Sequence, residues 1–193
     1  MNLIERVILK VIKGRVNKWF DMERSLGKLE HVNKPTELSP EKSWPDPNKI
    51  PSGNEVPFSL RNMPIVGHHL RSCISEGMKA IKSIDKNPYN SVKNISSGDL
   101  KSFEEFANSQ GIGTTSYCKL PSHLIFKDRA VLYNYAIVLT KEMDKDAILK
   151  APSLDTFKMV MSTYDELGVI TNTLTSKLTD RLSSISASLD RRR

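Results

Sequence analysis

The 193-residue chain has little cysteine, and this excludes several kinds of site. Its two cysteines, Cys73 and Cys118, lie far apart, so no CxxC pair and no Cys/His pair at metal-ligand spacing occurs. A cubane iron–sulfur cluster normally needs about four thiolates, which this chain cannot supply alone. The same scarcity is not typical of a disulfide-stabilised secreted domain.

The sequence also has no long apolar run and none of the common catalytic motifs. No uncharged apolar stretch of roughly 18 residues occurs, so no segment is expected to cross a membrane. The first residues do not resemble a signal peptide, because charges interrupt the apolar positions. GxGxxG, Walker-type, GxSxG and HExxH motifs are missing. We therefore predict a cytoplasmic protein in a reducing environment.

Positive charge exceeds negative charge, with a formal net charge of +7. A balance of this size is compatible with nucleic acid or an anionic membrane surface. The basic residues are spread along the chain rather than clustered among aromatic residues. We interpret them as a solvated face plus a basic tail, and nucleic acid is not an expected partner.

Residues 1–30 are predicted to form an amphipathic helical arm. Gly14 weakens this helix, whereas Trp19 and Phe20 extend its apolar face. The helix could pack on its own domain, on a partner protein or on a membrane surface, and we favour the first. The apolar positions recur at helical spacing opposite the basic residues: Leu3, Ile4, Val7, Ile8, Val11 and Ile12.

Residues 31–66 are predicted to be an extended, proline-rich linker. Proline removes a backbone donor and biases the preceding residue away from helix. Trp44 and Phe58 are expected to fix the linker to a surface. The prolines are Pro35, Pro40, Pro45, Pro47, Pro51, Pro57 and Pro64.

An α/β domain is predicted over residues 67–180. Its first part is ambiguous, although 68–84 has some helical spacing. His68 and His69 are adjacent, and adjacent side chains diverge on a helix. Without a third ligand at useful spacing, we predict no metal site there. Cys73 is expected to be a small buried hydrophobic residue.

The rest of the predicted domain reads as helix, strand, short crossover and strand. Asp99 is the expected cap of a helix that Gly111 terminates. A strand follows over Ile112–Lys119, and a crossover begins at Pro121. The region Val131–Met143 contains the strongest strand signal, Tyr135–Thr140, whose near-continuous apolar core is typical of a strand covered on both faces. The charged residues around Asp144 are predicted to form a solvated loop.

A long helix is predicted after Ser153, its expected N-cap, with Gly168 as a weak point. At ~1.5 Å per residue the helix would be about 50 Å long, more than a small sheet can cover. Residues 181–193 are predicted to be a Ser/Arg-rich tail. The apolar positions keep a three-and-four spacing: Leu154, Phe157, Val160, Met161, Tyr164, Leu167, Ile170, Leu174, Leu178, Leu182 and Ile185. The predicted fold is therefore α/β, a small sheet flanked by helices, with a long C-terminal helix and an irregular proline-rich N-terminal arm.

Few residues suggest catalysis. Cys118, His123 and Asp128 are close in sequence and could form a nucleophile set, but Lys119 points to the other strand face and cannot activate the thiol. Tyr117 is expected to pack with a hydrogen-bonded tip. Catalytic and cofactor-binding residues are thus unknown from the residues alone.

Four short stretches carry a family resemblance: 119–121, 125–128, 130–133 and 136–139, with a looser match at 21–27. The segment from Gly98 to about Leu178 resembles the N-terminal part of reductive-dehalogenase-like iron–sulfur proteins, which are similar to epoxyqueuosine reductase. The resemblance implies an oxidoreductase with a corrinoid and two iron–sulfur clusters. The regions that would hold them follow the long helix in such proteins and do not occur here.

The resemblance leads to a functional expectation. The chain diverges near Leu178, and we expect a truncated or frameshifted relative of such a reductase, with no cofactor of its own and no independent catalysis. No functional residue carries over. The alternative is an interaction or self-associating module that pairs with a separate redox chain. The expected partner is a second copy or such a complementary chain, because an uncovered sheet edge and helix face would remain.

Overall fold

The computed structural model describes residues 3–29, 32–41, 63–84 and 95–190. This part of the chain combines helices with a two-stranded sheet, as the sequence predicts. No helix in it is long and apolar enough to cross a membrane. The elements are α1 (Leu3–Leu26), α2 (Met63–Ser83), α3 (Ser97–Ser109), β1 (Thr114–Lys119), β2 (Tyr135–Thr140), α4 (Lys145–Leu149) and α5 (Leu154–Asp190), with a 3₁₀ turn at Ser122–Leu124.

The main core forms where α3 packs against α5. Phe103 and Ala107 on one face of α3 meet Ile170 and Leu174 of α5, and Ile112 closes the cluster. Burial of these side chains is the main favourable term that holds the two helices together. The predicted apolar spacing of α5 is therefore confirmed where it meets α3.

The cap of α3 differs from the prediction. Ser96, not Asp99, is the N-cap, and its hydroxyl accepts the backbone N–H of Asp99 at 3.1 Å. Asp99 lies inside the first turn, where Ser96 donates to its carboxylate at 2.7 Å. This reciprocal arrangement resembles a capping box, which satisfies donors that a helix start leaves free. Gly111 terminates the helix as predicted, with φ of +82°.

The sheet is antiparallel, and its register runs from Thr114 opposite Thr140 to Lys119 opposite Tyr135. The predicted cover on both faces of the second strand is wrong: β2 is largely exposed. Its apolar run looks like a buried parallel strand, but in the described part of the chain only Ala136 and Leu139 of β2 are partly covered. The link between the strands is a 3₁₀ turn and loop, in which Val131 pairs with Asn33.

The charged segment after β2 is not simply a loop. Residues 145–149 form α4, and Asp144 caps it by accepting the N–H groups of Asp146 and Ala147. Lys141 is also largely covered and forms an ion pair with Glu166 of α5 at 3.1 Å. Carboxylates near a helix start are favoured by its dipole, which explains the turn of helix here.

The predicted linker ends earlier than residue 66, because α2 already begins at Met63. Pro64 is compatible with this, since the first turn of a helix tolerates proline. Of the linker, only 32–41 and the start of α2 are described; Trp44 and Phe58 lie outside the described residues. The described piece contacts the domain, and Lys127 donates its backbone N–H to the Pro40 carbonyl at 2.9 Å.

The second half of α1 packs on the domain. The Trp19 ring lies directly over Gly77 of α2, and Arg129 sits 5.3 Å from the centre of the Phe20 ring. Arg129 also forms an ion pair with Glu23. The predicted apolar side chains of residues 3–8 and 12 lie outside the described residues, and Val11 is exposed.

Helix α5 spans 37 residues, which corresponds to about 55 Å at ~1.5 Å per residue. Ser153 caps it as predicted and accepts the Thr156 N–H at 3.2 Å. The helical backbone continues to Asp190, so most of the predicted tail over 181–193 is helical. Gly168 does not interrupt the helix; it lets Glu76 of α2 approach closely.

Candidate functional site

The packing of α2 against α5 brings together polar side chains that lie far apart in sequence. His69 faces Asp165, and its Nδ1 atom lies 2.9 Å from Asp165 Oδ2. His68 is the neighbour of His69 on α2, and the two rings meet edge to face with centroids 5.4 Å apart. One donor atom from each of the three side chains lies within 4.8 Å of the others. We call these three residues the His–Asp cluster.

The carboxylate of the His–Asp cluster is held in its charged form. Burial alone would raise the pKa of Asp165, but hydrogen bonds from Ser72 and His69 outweigh it, so this pKa lies below the usual range. The Asp165 side chain is only 13% exposed, whereas His68 is exposed to solvent. The cluster therefore joins a covered anion to an accessible imidazole.

About two turns further along both helices, a second polar contact links α2 to α5. Glu76 is buried, and its Oε2 atom accepts the Asn172 side-chain amide at 2.8 Å. The same amide also donates to the Glu76 backbone carbonyl at 3.1 Å. The hydrogen bond from Lys79, together with that from Asn172, keeps the pKa of Glu76 below its ordinary value despite burial. This contact fixes the register of the two helices.

Cys73 lies beside the His–Asp cluster but is a poor nucleophile. Burial and the negative charge of Asp165 both raise the pKa of its thiol. Its Sγ atom lies 3.8 Å from the Met161 carbonyl oxygen. Because the thiolate is the reactive form, this environment disfavours catalysis by Cys73. The half-buried position agrees with the predicted packing role.

The residues considered as a nucleophile set do not meet. Cys118 is exposed on β1, opposite Ala136. His123 lies in the 3₁₀ turn, and Asp128 lies near Arg129, with 4.0 Å between the Arg129 Nε and an Asp128 oxygen. Within the described residues, the only close group of three His, Cys or acidic side chains is the His–Asp cluster. A Cys–His–Asp nucleophile at this place is therefore not supported.

Tyr117 behaves as the sequence predicts for a strand tyrosine. Burial and a hydrogen bond to Glu104 of α3 raise the pKa of its phenol to about 12. The phenol therefore stays protonated at neutral pH and donates to the carboxylate. Tyr117 ties β1 to α3 rather than acting as a proton donor to a substrate.

A second surface of interest is the uncovered part of the sheet. Leu139 of β2 packs on the helical core, and side chains two residues apart share a face of a strand. Ile137 and Tyr135 thus continue the core-facing side of β2, but they are 40% and 76% exposed. Tyr117 lies opposite Ile137 on the same face. We call this face, together with the edge of β2 that has no strand partner among the described residues, the open sheet surface.

A shallow groove of about 340 Å³ runs beside α5. Gln110, Lys141, Asp165 and Glu166 contribute polar lining, and Val169 and Ile170 contribute the apolar part. The Lys141–Glu166 ion pair lies within it. Asp165 of the His–Asp cluster is thus one of the residues that line the groove.

Asp165 and Glu76 are the polar residues that reasoning from the sequence missed. One signal on α5 could have found Asp165: with Gly168 and Asn172 it recurs at a spacing of three and four. A stripe of small and polar residues at this spacing indicates a helix face that meets a close neighbour. The identity of that neighbour, about ninety residues away, depends on the fold.

Comparisons with protein-family models, with curated proteins and with solved structures yield no match for this chain.

Proposed function

We propose that this chain is a self-associating interaction module, without catalysis of its own, whose partner is a second copy of the chain. The observation that carries the proposal is the open sheet surface. A two-stranded antiparallel sheet is marginally stable alone, and an apolar face of this kind is usually covered. In the described residues, Leu139 packs on the helical core and Tyr117 is hydrogen-bonded to Glu104 of α3, whereas Ile137 and Tyr135 on the same face remain exposed.

The free edge of β2 supports pairing with a copy of itself. Natural proteins protect sheet edges with lysine, proline or bulges. β2 reads Tyr-Ala-Ile-Val-Leu-Thr and contains neither charge nor proline. Two such strands can lie antiparallel about a twofold axis without like charges meeting, and twofold dimers are the commonest oligomers. The product would be a continuous four-stranded sheet.

The hydrogen-bond pattern identifies which backbone groups would pair. Leu120 donates its N–H to the Asn134 carbonyl at 2.8 Å, one step beyond the last paired residues of the sheet. In an antiparallel ladder, hydrogen-bonded pairs alternate with pairs that are not. Val138 therefore directs its N–H and C=O toward β1, whereas those of Ile137 point to the free edge.

The family resemblance supports the part of the proposal that gives the chain no catalysis of its own. The stretches that resemble reductive-dehalogenase-like iron–sulfur proteins, such as 136–139, lie in the predicted α/β domain, and the resemblance assigns them no cofactor ligand. We propose that this module is related to the N-terminal part of that family. The chemistry of such enzymes would then require parts that this sequence does not contain.

The experiment is a measurement of molecular mass by light scattering on the purified chain. We expect twice the chain mass of 21.8 kDa for the wild type. Ile137→Pro removes an outward N–H but no donor to β1, and edge strands tolerate proline, so this variant should be monomeric. Val138→Thr is the matched control and should remain dimeric.

A second variant guards against misfolding of the first. Tyr135 is so exposed that Tyr135→Lys should not disturb the fold, yet the charge should block edge pairing. A monomeric wild type, or a dimer that survives both changes, would refute the proposed interface. Anaerobic purification with iron and cobalamin supplied tests the proposed lack of catalysis. A chromophore bound in stoichiometric amount would contradict the proposal that the chain has no independent redox chemistry.

A further inference from the structure

The His–Asp cluster offers three donors of different exposure at one point between α2 and α5. His68 and His69 supply ring nitrogens from one helix, and Asp165 supplies a carboxylate oxygen from the other. The donors lie within 4.8 Å of one another, and two of them are already 2.9 Å apart. The sequence-based expectation of no metal site rested on the divergence of adjacent helical side chains and on the missing third ligand. In the fold the two histidine rings nevertheless meet, with centroids 5.4 Å apart, and Asp165 supplies a third ligand.

We propose that His68, His69 and Asp165 bind one divalent transition-metal ion, with zinc as the representative ion. This inference is independent of the proposed self-association. Imidazole nitrogen suits zinc, copper, iron and nickel, whereas magnesium and calcium prefer sites made of oxygen ligands. Two nitrogens with one carboxylate therefore select against the common alkaline-earth ions.

The geometry needs a small adjustment to accept the ion. Zinc binds imidazole nitrogen at ~2.0–2.1 Å in tetrahedral sites, which places neighbouring donors about 3.3 Å apart. His69 and Asp165 already satisfy this spacing closely. The third donor must move inward, and His68 is the exposed member of the cluster, so packing confines its ring least. Water would occupy the fourth position.

The surroundings suit a cation. The hydrogen bond from Ser72 orients the Asp165 carboxylate, which is the role that outer-shell partners play in metal sites. The ion would take the place of the hydrogen that His69 and Asp165 now share. It would also connect α2 to α5, so that metal binding stabilises the folded chain by mass action.

The test is calorimetric titration of the full chain with Zn²⁺, in a Cys118→Ser background that removes the exposed thiol. We expect one ion per chain. His69→Ala and Asp165→Asn should each weaken binding at least tenfold, the lower end of losses seen for outer-shell changes. His123→Ala, which removes an exposed histidine elsewhere, is the matched control and should leave the affinity unchanged.

Two further readouts keep the outcome decisive. His68→Ala alters an exposed side chain, so it should fold normally and still lose at least tenfold in affinity. Zn²⁺ should shift the ring NMR signals of His68 and His69 but not those of His123, and should raise the melting temperature of the wild type. The proposed metal site would be refuted if Zn²⁺ does not bind, or if the His68, His69 and Asp165 variants bind Zn²⁺ with the affinity of the parent chain. The contact between His69 and Asp165 would then be only a hydrogen bond.

Discussion

The contact between Trp19 and Gly77 makes a sharp prediction about how α1 joins the domain. A Cβ atom added at Gly77 would lie 2.7 Å from two carbons of the Trp19 ring. At Gly14 of α1, an added Cβ meets no atom within 4 Å in the described part of the chain. The two glycines are thus a matched pair: both lie inside helices, but only one supports a neighbouring helix.

Two opposing terms decide the outcome. Replacing a helix glycine by alanine stabilises a helix by up to ~1 kcal/mol, because glycine loses more backbone freedom on folding. Overpacking against a ring that cannot move away costs about 1–3 kcal/mol. Gly14→Ala should therefore stabilise the chain by up to ~1 kcal/mol, whereas Gly77→Ala should destabilise it by about 0–3 kcal/mol.

Urea unfolding measures the difference as a change in the midpoint at constant slope. In thermal melts, each kcal/mol corresponds to roughly 2–4 °C for a chain of this size. Trp19→Phe serves as a double-mutant partner, because it shortens the clashing ring and the Trp19 indole N–H has no hydrogen-bond partner to lose. The penalty of Gly77→Ala should shrink in that background. If Gly77→Ala stabilises the chain as much as Gly14→Ala, the contact between α1 and α2 is refuted.

Two further predictions concern α2, α5 and the start of α3. The pKa of Glu76 lies below its ordinary value of 4.5, so the contribution of this carboxylate to stability is present above pH 4.5 and is lost as pH falls through the folded pKa. Glu76→Gln should therefore lower the melting temperature at neutral pH and flatten the decline of the melting temperature in acid. Parallel curves of melting temperature against pH for variant and wild type would contradict this. Ser96→Ala should destabilise the chain by ~1 kcal/mol through the lost cap, whereas the neighbouring surface change Ser97→Ala should stay within ~0.5 kcal/mol; equal midpoints in urea unfolding would show that the cap contributes nothing.

Local signals along the chain predict the elements well. The spacing of Leu167, Ile170 and Leu174 predicts the long helix and the face that meets α3, and Gly111 marks the end of α3 because its positive φ favours glycine. These features depend on neighbours within a few residues. The error at Asp99 has the same origin, since Ser96 and Asp99 share one capping arrangement and either residue type can cap a helix.

The apolar run of β2 shows where local signals fail. A run of six residues with this composition is compatible with a strand buried on both faces and equally compatible with a strand that has one face exposed. Only the placement of the helices shows that Ile137 and Tyr135 remain exposed. The composition of a strand indicates that apolar contacts would stabilise it. It does not indicate whether this chain or another copy provides those contacts.

The sequence by itself determined α1, α3, α5, the two strands and the lack of familiar catalytic motifs, because propensity, capping and periodicity act over short distances. It is ambiguous over α2 and predicts a loop where α4 forms. The tertiary structure alone decided the two candidate sites. Asp165 meets His69 only because α5 packs on α2 across 96 residues. The open sheet surface exists because the helices cover one end of β2. Both depend on long-range packing, for which one sequence contains no local signal.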